Sequence, residues 1–171
     1  MMSSNLESAS SEHLKALFSK IGKSKLLGVG IGALSTALIQ SSGATTVMVI
    51  GFVNVGIMSL AQAATIIYGA NIGTTITALL ASVGQSRNAK RTALAHCVFN
   101  ITGTFIFIWF VPWYAKFIQF ISPKGPEIQV ISRQIANAHT CFNITNTLLW
   151  LPLIPLMVKI VMTILPESKK D

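Results

Sequence analysis

Hydrophobic residues run in long blocks along this chain, and the few polar interruptions fall at defined places. No charged residue occurs between Lys25 and Arg87. Within that stretch the apolar pieces cover residues 26–39, 44–53, 57–68 and 76–83. They are separated by Gln40-Ser41-Ser42-Gly43, by Asn54-Val55-Gly56 and by Gly69-Ala70-Asn71-Ile72-Gly73-Thr74-Thr75. The longest piece has 14 residues. As a helix it would measure about 21 Å, short of the roughly 30 Å hydrocarbon layer of a bilayer. The pattern therefore predicts re-entrant hairpins or broken half-helices over residues 26–86, whose irregular backbone must be buried in protein or line a cavity.

Two later blocks are different. Residues 92–115 are uncharged apart from His96, and residues 134–158 are uncharged apart from His139. Each is long enough for one full transmembrane helix. Trp109, Trp113 and Tyr114 near the end of the first, and Trp150 in the second, suit the membrane–water interface. The loop between them, residues 116–133, carries Pro123, Gly125 and Pro126 and cannot be helical throughout.

Composition supports this reading. The chain has 171 residues, 51% hydrophobic and 11% charged, where soluble domains carry about 25% charged residues. The predicted fold class is an all-α polytopic membrane protein: re-entrant or broken half-helices plus two full transmembrane helices. Residues 1–25 are polar, with Leu14, Leu17, Phe18 and Ile21 spaced as the apolar face of a short interfacial helix. They lack the apolar core of a cleavable signal peptide. Residues 159–171 form a basic tail.

The net charge of +8 comes from basic clusters that flank apolar segments. They do not line one face interleaved with aromatics, which argues against nucleic acid and for a lipid bilayer. Placing the N-terminus and Arg87–Arg91 on the cytoplasmic side puts ten basic residues inside and three outside. That arrangement requires an even number of crossings between them, whereas a re-entrant hairpin followed by a broken spanning helix gives an odd number, and the sequence leaves both open. Cys97 and Cys141 lie in apolar segments and read as buried free thiols.

The chemistry-bearing residues are uncharged. With no Asp, Glu, Lys or Arg in residues 26–86, paired-carboxylate catalysis and a carboxylate metal cage are excluded there, and no transition-metal or enzyme constellation is present. Gly28/Gly32 and Gly69/Gly73 have the small-xxx-small spacing of packed membrane helices. Gln40, Ser41, Ser42, Thr45 and Thr46 supply hydroxyl and amide groups at the first break; Asn71, Thr74, Thr75 and Thr77 do so at the third. A half-helix starting after a break offers free N–H groups to an anion. Oxygens of side chains and unwound backbone suit a hard cation such as Na+. The competing reading is that these hydroxyls bond their own helix carbonyls or join helices.

An internal repeat lies further on. Ala95-His96-Cys97-Val98-Phe99-Asn100-Ile101-Thr102-Gly103-Thr104 matches Ala138-His139-Thr140-Cys141-Phe142-Asn143-Ile144-Thr145-Asn146-Thr147 at seven of ten positions, with an offset of 43. His96 and His139 are candidates for proton-sensitive gates or for hydrogen bonds between helices, and Asn100 and Asn143 for interhelical bonds.

The run from Gln40 to Val49, then Gly51-Phe52-Val53-Asn54, then Gly69-Ala70-Asn71-Ile72-Gly73-Thr74-Thr75, closely resembles the type II sodium–phosphate cotransporter family. The Ala-His-x-x-Phe-Asn segments belong to the same resemblance, which covers roughly residues 26–155. It implies sodium-coupled uptake of inorganic phosphate in the cell (plasma or inner) membrane, with Na+ as coupling ion and no organic cofactor. By that resemblance Gln40, Ser41, Ser42, Gly43 and Asn71 bind phosphate. Gln40, Ser41, Ser42, Asn71, Thr74, Thr75 and Thr77 hold sodium, and His96 and Asn100 are gating candidates.

Three departures matter. Gly43 replaces the third serine of the family motif. Cys97 stands where electrogenic members carry an Asp, which implies electroneutral coupling. The family has two inverted repeats, each with a Gln-Ser-Ser motif, and this chain has one. The chain accordingly reads as one repeat of an inverted-repeat transporter that needs a second repeat or subunit. The alternative is a non-transporting membrane scaffold that retains the helix-packing motifs.

Overall fold

The computed structural model describes residue 16 and residues 18–167; the interfacial helix expected before residue 18 and the last four residues of the tail fall outside them. After a helical stretch at 18–23 come α1 (Lys25–Ile39), α2 (Ser42–Asn54), α3 (Leu60–Ala81), α4 (Arg87–Phe107), α5 (Val111–Ile121), α6 (Glu127–Trp150) and α7 (Ile154–Ile164). Short 3-10 turns, Ile108–Phe110 and Leu151–Leu153, join α4 to α5 and α6 to α7.

The first four of these helices each begin on a serine. Ser24, Ser41, Ser59 and Ser86 accept, through their hydroxyl oxygens, the N–H three residues ahead. This satisfies one of the donors that every helix start leaves free. At Ser59 the cap is reciprocal, because Gln62 Oε1 accepts the Ser59 N–H at 2.7 Å.

Two of the three expected breaks are present, at Gln40–Ser41 and at residues 55–59. The third is not: α3 runs unbroken through Gly69–Thr75. Those glycines serve packing. A Cβ on Gly69 would fall on the Val29 carbonyl, one on Gly73 on the Ala33 carbonyl, and one on Gly32 on the Ile66 carbonyl. α1 and α3 thus meet backbone to backbone, as helices do where lipid removes the hydrophobic drive and close packing must replace it. The contacts climb together, from Gly28 beside Thr65 to Thr36 beside Gly73, so the two helices are parallel. The α1–α2 hairpin therefore doubles back before α3 starts.

α3 is the central element. One side packs with Val49, Val53, Ile131 and Ile135, and another with Val111, Tyr114, Ile118 and Phe142. Thr104 donates to the Tyr68 carbonyl at 3.0 Å, which fastens α4 antiparallel to α3. On the outside, Leu34, Leu38, Phe105, Trp109, Trp113, Phe120 and Leu148 are exposed. An apolar exterior over a small-residue seam is what a bilayer requires.

Among the described residues, three helical stretches are long and apolar enough to cross a membrane: Leu60–Ala81, Arg87–Ile121 and Val130–Ile164. The sequence pattern anticipated only the last two, because α3 was divided by its glycines. α3 also bears on the topology that the charge pattern left open. Phe18 sits at its N-terminal end, where its carbonyl accepts from Gln62 Nε2 at 2.7 Å. Arg91 lies at the other end, donating to the Leu165 carbonyl at 3.1 Å. Lys20–Lys25 and Arg87–Arg91 are therefore at opposite ends of a 22-residue helix, not on one side.

The repeat extends beyond its matching residues. The second 3-10 turn starts at Leu151 against Ile108 in the first, α7 at Ile154 against α5 at Val111, and Pro155 and Lys159 stand against Pro112 and Lys116, each 43 residues on. Pro112 and Pro155 lack the N–H that a continuous α-helix would donate four residues back, which explains a 3-10 turn at both places. The two arms run antiparallel: Arg91, early in the first, donates to the Leu165 carbonyl at the end of the second, while Gly103, further along the first, lies against Asn146 of the second. Asn146 Nδ2 donates to the Phe99 carbonyl at 2.9 Å and Trp150 Nε1 to Thr102 Oγ1 at 3.1 Å.

Candidate functional site

The α1–α2 hairpin turns at a single left-handed residue. Gln40 has φ 60° and ψ 24°, and its N–H donates to the Thr36 carbonyl at 2.6 Å. Ser41, extended at φ −147°, then starts α2. Its hydroxyl oxygen accepts from Ala44 N at 3.2 Å, and its carbonyl from Thr45 N at 3.1 Å. Gln40, Ser41 and Gly43 are exposed and Ser42 is half-buried. Below the turn, Thr36 donates to Thr45 Oγ1 at 2.8 Å, and both side chains are fully buried. That bond holds the two half-length helices together in an apolar setting.

A Cβ on Gly43 would be 3.8 Å from Ser41 Oγ, an ordinary contact. The backbone there accommodates the family's third serine without adjustment.

Because α1 and α3 are parallel and Thr36 lies beside Gly73, the turn comes level with the 73–77 stretch of α3. Here Thr74 donates to the Ala70 carbonyl at 2.9 Å, Thr75 to Ile72 at 2.7 Å and Thr77 to Thr74 at 2.6 Å. Thr75 also lies 3.6 Å from Cys97 Sγ. These hydroxyl hydrogens are spent within the helix, while the oxygen lone pairs remain as acceptors. Thr45 and Thr46 behave alike, donating to the Ser41 and Ser42 carbonyls.

Asn71 turns towards α6 instead. It is 5% exposed, and its Oδ1 is 3.1 Å from His139 Nε2. Its Nδ2 is buried with no hydrogen-bond partner among the described residues. Of the two histidines in the repeat, His139 meets the Gly-Ala-Asn segment. His96 lines an apolar groove of about 400 Å³ with Thr92, Ala95, Phe99, Thr147 and Trp150. Asn100 and Asn143 do not join helices: each donates through Nδ2 to the histidine carbonyl four residues back, at 3.0 and 2.8 Å. The inter-helix role belongs to Asn146, a position where the two repeat copies differ.

An uncharged turn between two short apolar helices, beside a Gly-Ala-Asn helix, is the arrangement carried by the part of the chain that aligns with known proteins. The Na+/Pi-cotransporter family profile matches residues 1–121. The chain belongs to the Na+/Pi-cotransporter family. A Bacillus subtilis relative, uncharacterized protein YqeW, is 41% identical over 93 residues, 54% of this chain and 30% of that protein. The rat sodium-dependent phosphate transport protein 2C is 37% identical over 89 residues, 50% of this chain and 14% of that protein. The human sodium-dependent phosphate transport protein 2B is 36% identical over 88 residues, 49% and 12%. The chain spans less than a third of the length of these relatives. No solved structure matches.

Membership brings Na+ as the family's coupling ion and phosphate as its substrate class; it is a transporter family and not an enzyme family.

Proposed function

We propose that this chain supplies one half of a sodium-coupled inorganic phosphate symporter of the cell membrane, crossing it more than once. A second repeat or subunit supplies the other half. The observation that carries the reading is the Gln40–Ser41 turn: two apolar helices too short to span meet there, α2 begins on Ser41, and the whole stretch 26–86 carries no charged side chain. With no Lys or Arg in that stretch, an anion relies on backbone N–H groups, hydroxyls and a co-bound cation.

In this reading Gln40, Ser41, Ser42 and Gly43 bind phosphate together with Asn71. The oxygens of Gln40, Ser41, Ser42, Asn71, Thr74, Thr75 and Thr77 hold sodium, and His96 and Asn100 take part in gating. Cys97, in place of an acidic residue, makes coupling electroneutral.

The test is binding of radiolabelled phosphate to the purified chain in nanodiscs, with sodium or with potassium. Binding is expected only with sodium, and is expected to vanish in Ser41→Ala combined with Ser42→Ala. Binding that ignores sodium, or survives both substitutions, overturns the reading. Uptake into vesicles by the chain alone would overturn the half-site part of it.

One observation favours a second reading, a membrane scaffold: the hydroxyls of Thr45, Thr46, Thr74, Thr75 and Thr77 all donate to carbonyls of their own helices. A chain that binds no phosphate under either condition fits that reading.

A further inference from the structure

We infer that the groove between α4 and the α6–α7 arm holds one acyl chain of an anionic phospholipid, with the headgroup phosphate at Arg87, Lys90 and Arg91. This goes beyond the transport reading and does not depend on it.

The groove, about 400 Å³, has Thr92, Ala95 and Phe99 of α4 on one wall and Trp150, Ile154 and Met157 on the other. Two of its polar groups are turned away. The Thr92 hydroxyl donates to the Asn88 carbonyl at 3.0 Å, and Trp150 Nε1 donates to Thr102 Oγ1, which leaves the indole ring to the groove. Leu151 and Ile154 at the rim are exposed, so the groove opens sideways to lipid. From Thr92 to Phe99 the wall is about 10 Å of helix, and from Thr147 to Met157 about 15 Å. One leaflet of hydrocarbon is about 15 Å deep, half of the bilayer's roughly 30 Å. The groove has the reach of a single leaflet, and hence of a single chain.

The Thr92 end of the groove is basic. Arg91, the residue before Thr92, donates through Nε to the Leu165 carbonyl at 3.1 Å and through Nη1 to Asn88 Oδ1 at 3.1 Å. Arg87 donates to the Pro166 carbonyl. These acceptors are uncharged and leave the positive charge in place. Arg91 Nη2 is buried with no partner among the described residues, and Lys90 is exposed.

Three cations at spacings of three and four residues repel one another. They also crowd the start of a helix, where free N–H groups already carry positive charge. The first turn of α4 has no acidic residue to offset this. Arg87 and Arg91 gain from the last carbonyls of the α7 arm, while Lys90 does not. Glu167, exposed beside Pro166, offsets at most one charge of the three. An anion held at the mouth of an apolar groove completes the balance, and a basic pocket between membrane helices is where anionic headgroups bind.

The test uses the full chain in nanodiscs of phosphatidylcholine with a minor fraction of phosphatidylglycerol bearing a photoreactive acyl chain. Cross-links are expected at Ala95, Phe99 and Met157 in preference to Leu34, Phe120 and Leu148, which are exposed elsewhere on the apolar surface. Photoreactive phosphatidylcholine is expected to label the groove about fivefold less or weaker still. Lys90→Gln is expected to cut phosphatidylglycerol labelling about fivefold, the effect of one charge at a membrane surface, and to leave phosphatidylcholine labelling unchanged. Ala95→Phe fills the groove and is expected to abolish labelling of Met157 by both lipids. Thermal unfolding of each variant separates a folding defect from lost binding.

Equal labelling by the two lipids, labels spread evenly over the exposed apolar residues, or Lys90→Gln labelled like the wild type overturns the inference. Inorganic phosphate in the buffer is expected to change nothing; if it abolishes the preference for phosphatidylglycerol, the cations form a free-phosphate site and the lipid reading fails. A wild-type dimer that Ala95→Phe separates into monomers would put a second copy in the groove and overturn it as well. None of these outcomes alters the expectation for phosphate at the Gln40 turn.

Discussion

Gly103 and Asn146 face one another where α4 crosses α6, and they are the same position of the internal repeat, 43 residues apart. A Cβ on Gly103 would overlap the Asn146 amide. The copies have diverged at this position because they meet there: one gave up its side chain, and the other fills the space and donates to the Phe99 carbonyl. A crossing at equivalent positions of antiparallel arms puts a pseudo-two-fold axis through the contact, roughly perpendicular to the helices.

Exchange of the two residues tests this. Gly103→Asn alone sets two amides against each other and is expected to destabilise by about 1–3 kcal/mol, the usual cost of overpacking. Adding Asn146→Gly is expected to recover at least half of that, because the pseudo-symmetric bond to the Phe142 carbonyl becomes available. Detergent-solubilised thermal unfolding of the single and double variants reads the difference. No recovery would argue against the axis.

The α1–α3 seam makes a sharper demand. Gly69→Ala places a methyl group on the Val29 carbonyl and is expected to cost about 1–3 kcal/mol. Gly51→Ala, where nothing lies within 4 Å of the new Cβ, is expected to be neutral or to stabilise by about 0.5–1 kcal/mol through helix propensity. Unfolding midpoints compared side by side would expose the contrast, and equal values would contradict backbone contact.

This seam also shows where the sequence was readable. Gln40-Ser41-Ser42-Gly43 was legible as a break because polar residues interrupt apolar runs too short to span, and Ser41 is a good cap. Gly69–Thr75 looked the same, yet it is helical. Glycine serves close packing as well as unwinding, and only the presence of Val29 and Ala33 on a neighbouring helix decides which. The paired Gly28/Gly32 and Gly69/Gly73 spacing carried the right answer. The choice of His139 over His96 was not legible, since both stand in the same local motif; it depends on which arm packs against Asn71. The charge pattern left the number of crossings open for the same reason, since it could not show that residues 69–75 continue one helix.

Gly43 allows a gain of function. Gly43→Ser adds a hydroxyl in the first turn of α2, where a Cβ has room. A further hydrogen bond to a charged ligand contributes about 1.5–3 kcal/mol, so phosphate affinity is expected to rise at least about tenfold. Equilibrium binding of labelled phosphate would show it, and an unchanged affinity would place the anion away from this turn.

The Thr36–Thr45 bond should behave as a coupled pair. Thr45→Val leaves the Thr36 hydroxyl without its acceptor, Thr36→Val removes the donor to Thr45 Oγ1, and each single change is expected to cost about 1 kcal/mol. Changing both to Val removes both polar groups from an apolar site and is expected to cost less than the sum. A double-mutant cycle on unfolding free energies measures the coupling, and strict additivity would show that the hydroxyls do not hold the hairpin.

The seam has a mechanical consequence as well. Where two helices touch through their carbonyls, no side chains stand between them to change rotamer, so neither can slide without lifting clear of the other. α1 and α3 therefore act as a single strut, and whatever the Gln40 turn grips is tied to the position of Asn71. Relative movement is left to joints outside the strut: the 55–59 connection, and the 82–86 corner, where Gly84 takes φ +77°. A residue that tolerates only negative φ at position 84 would strain that corner and change how the strut is joined to α4, while leaving the Gln40 turn itself untouched.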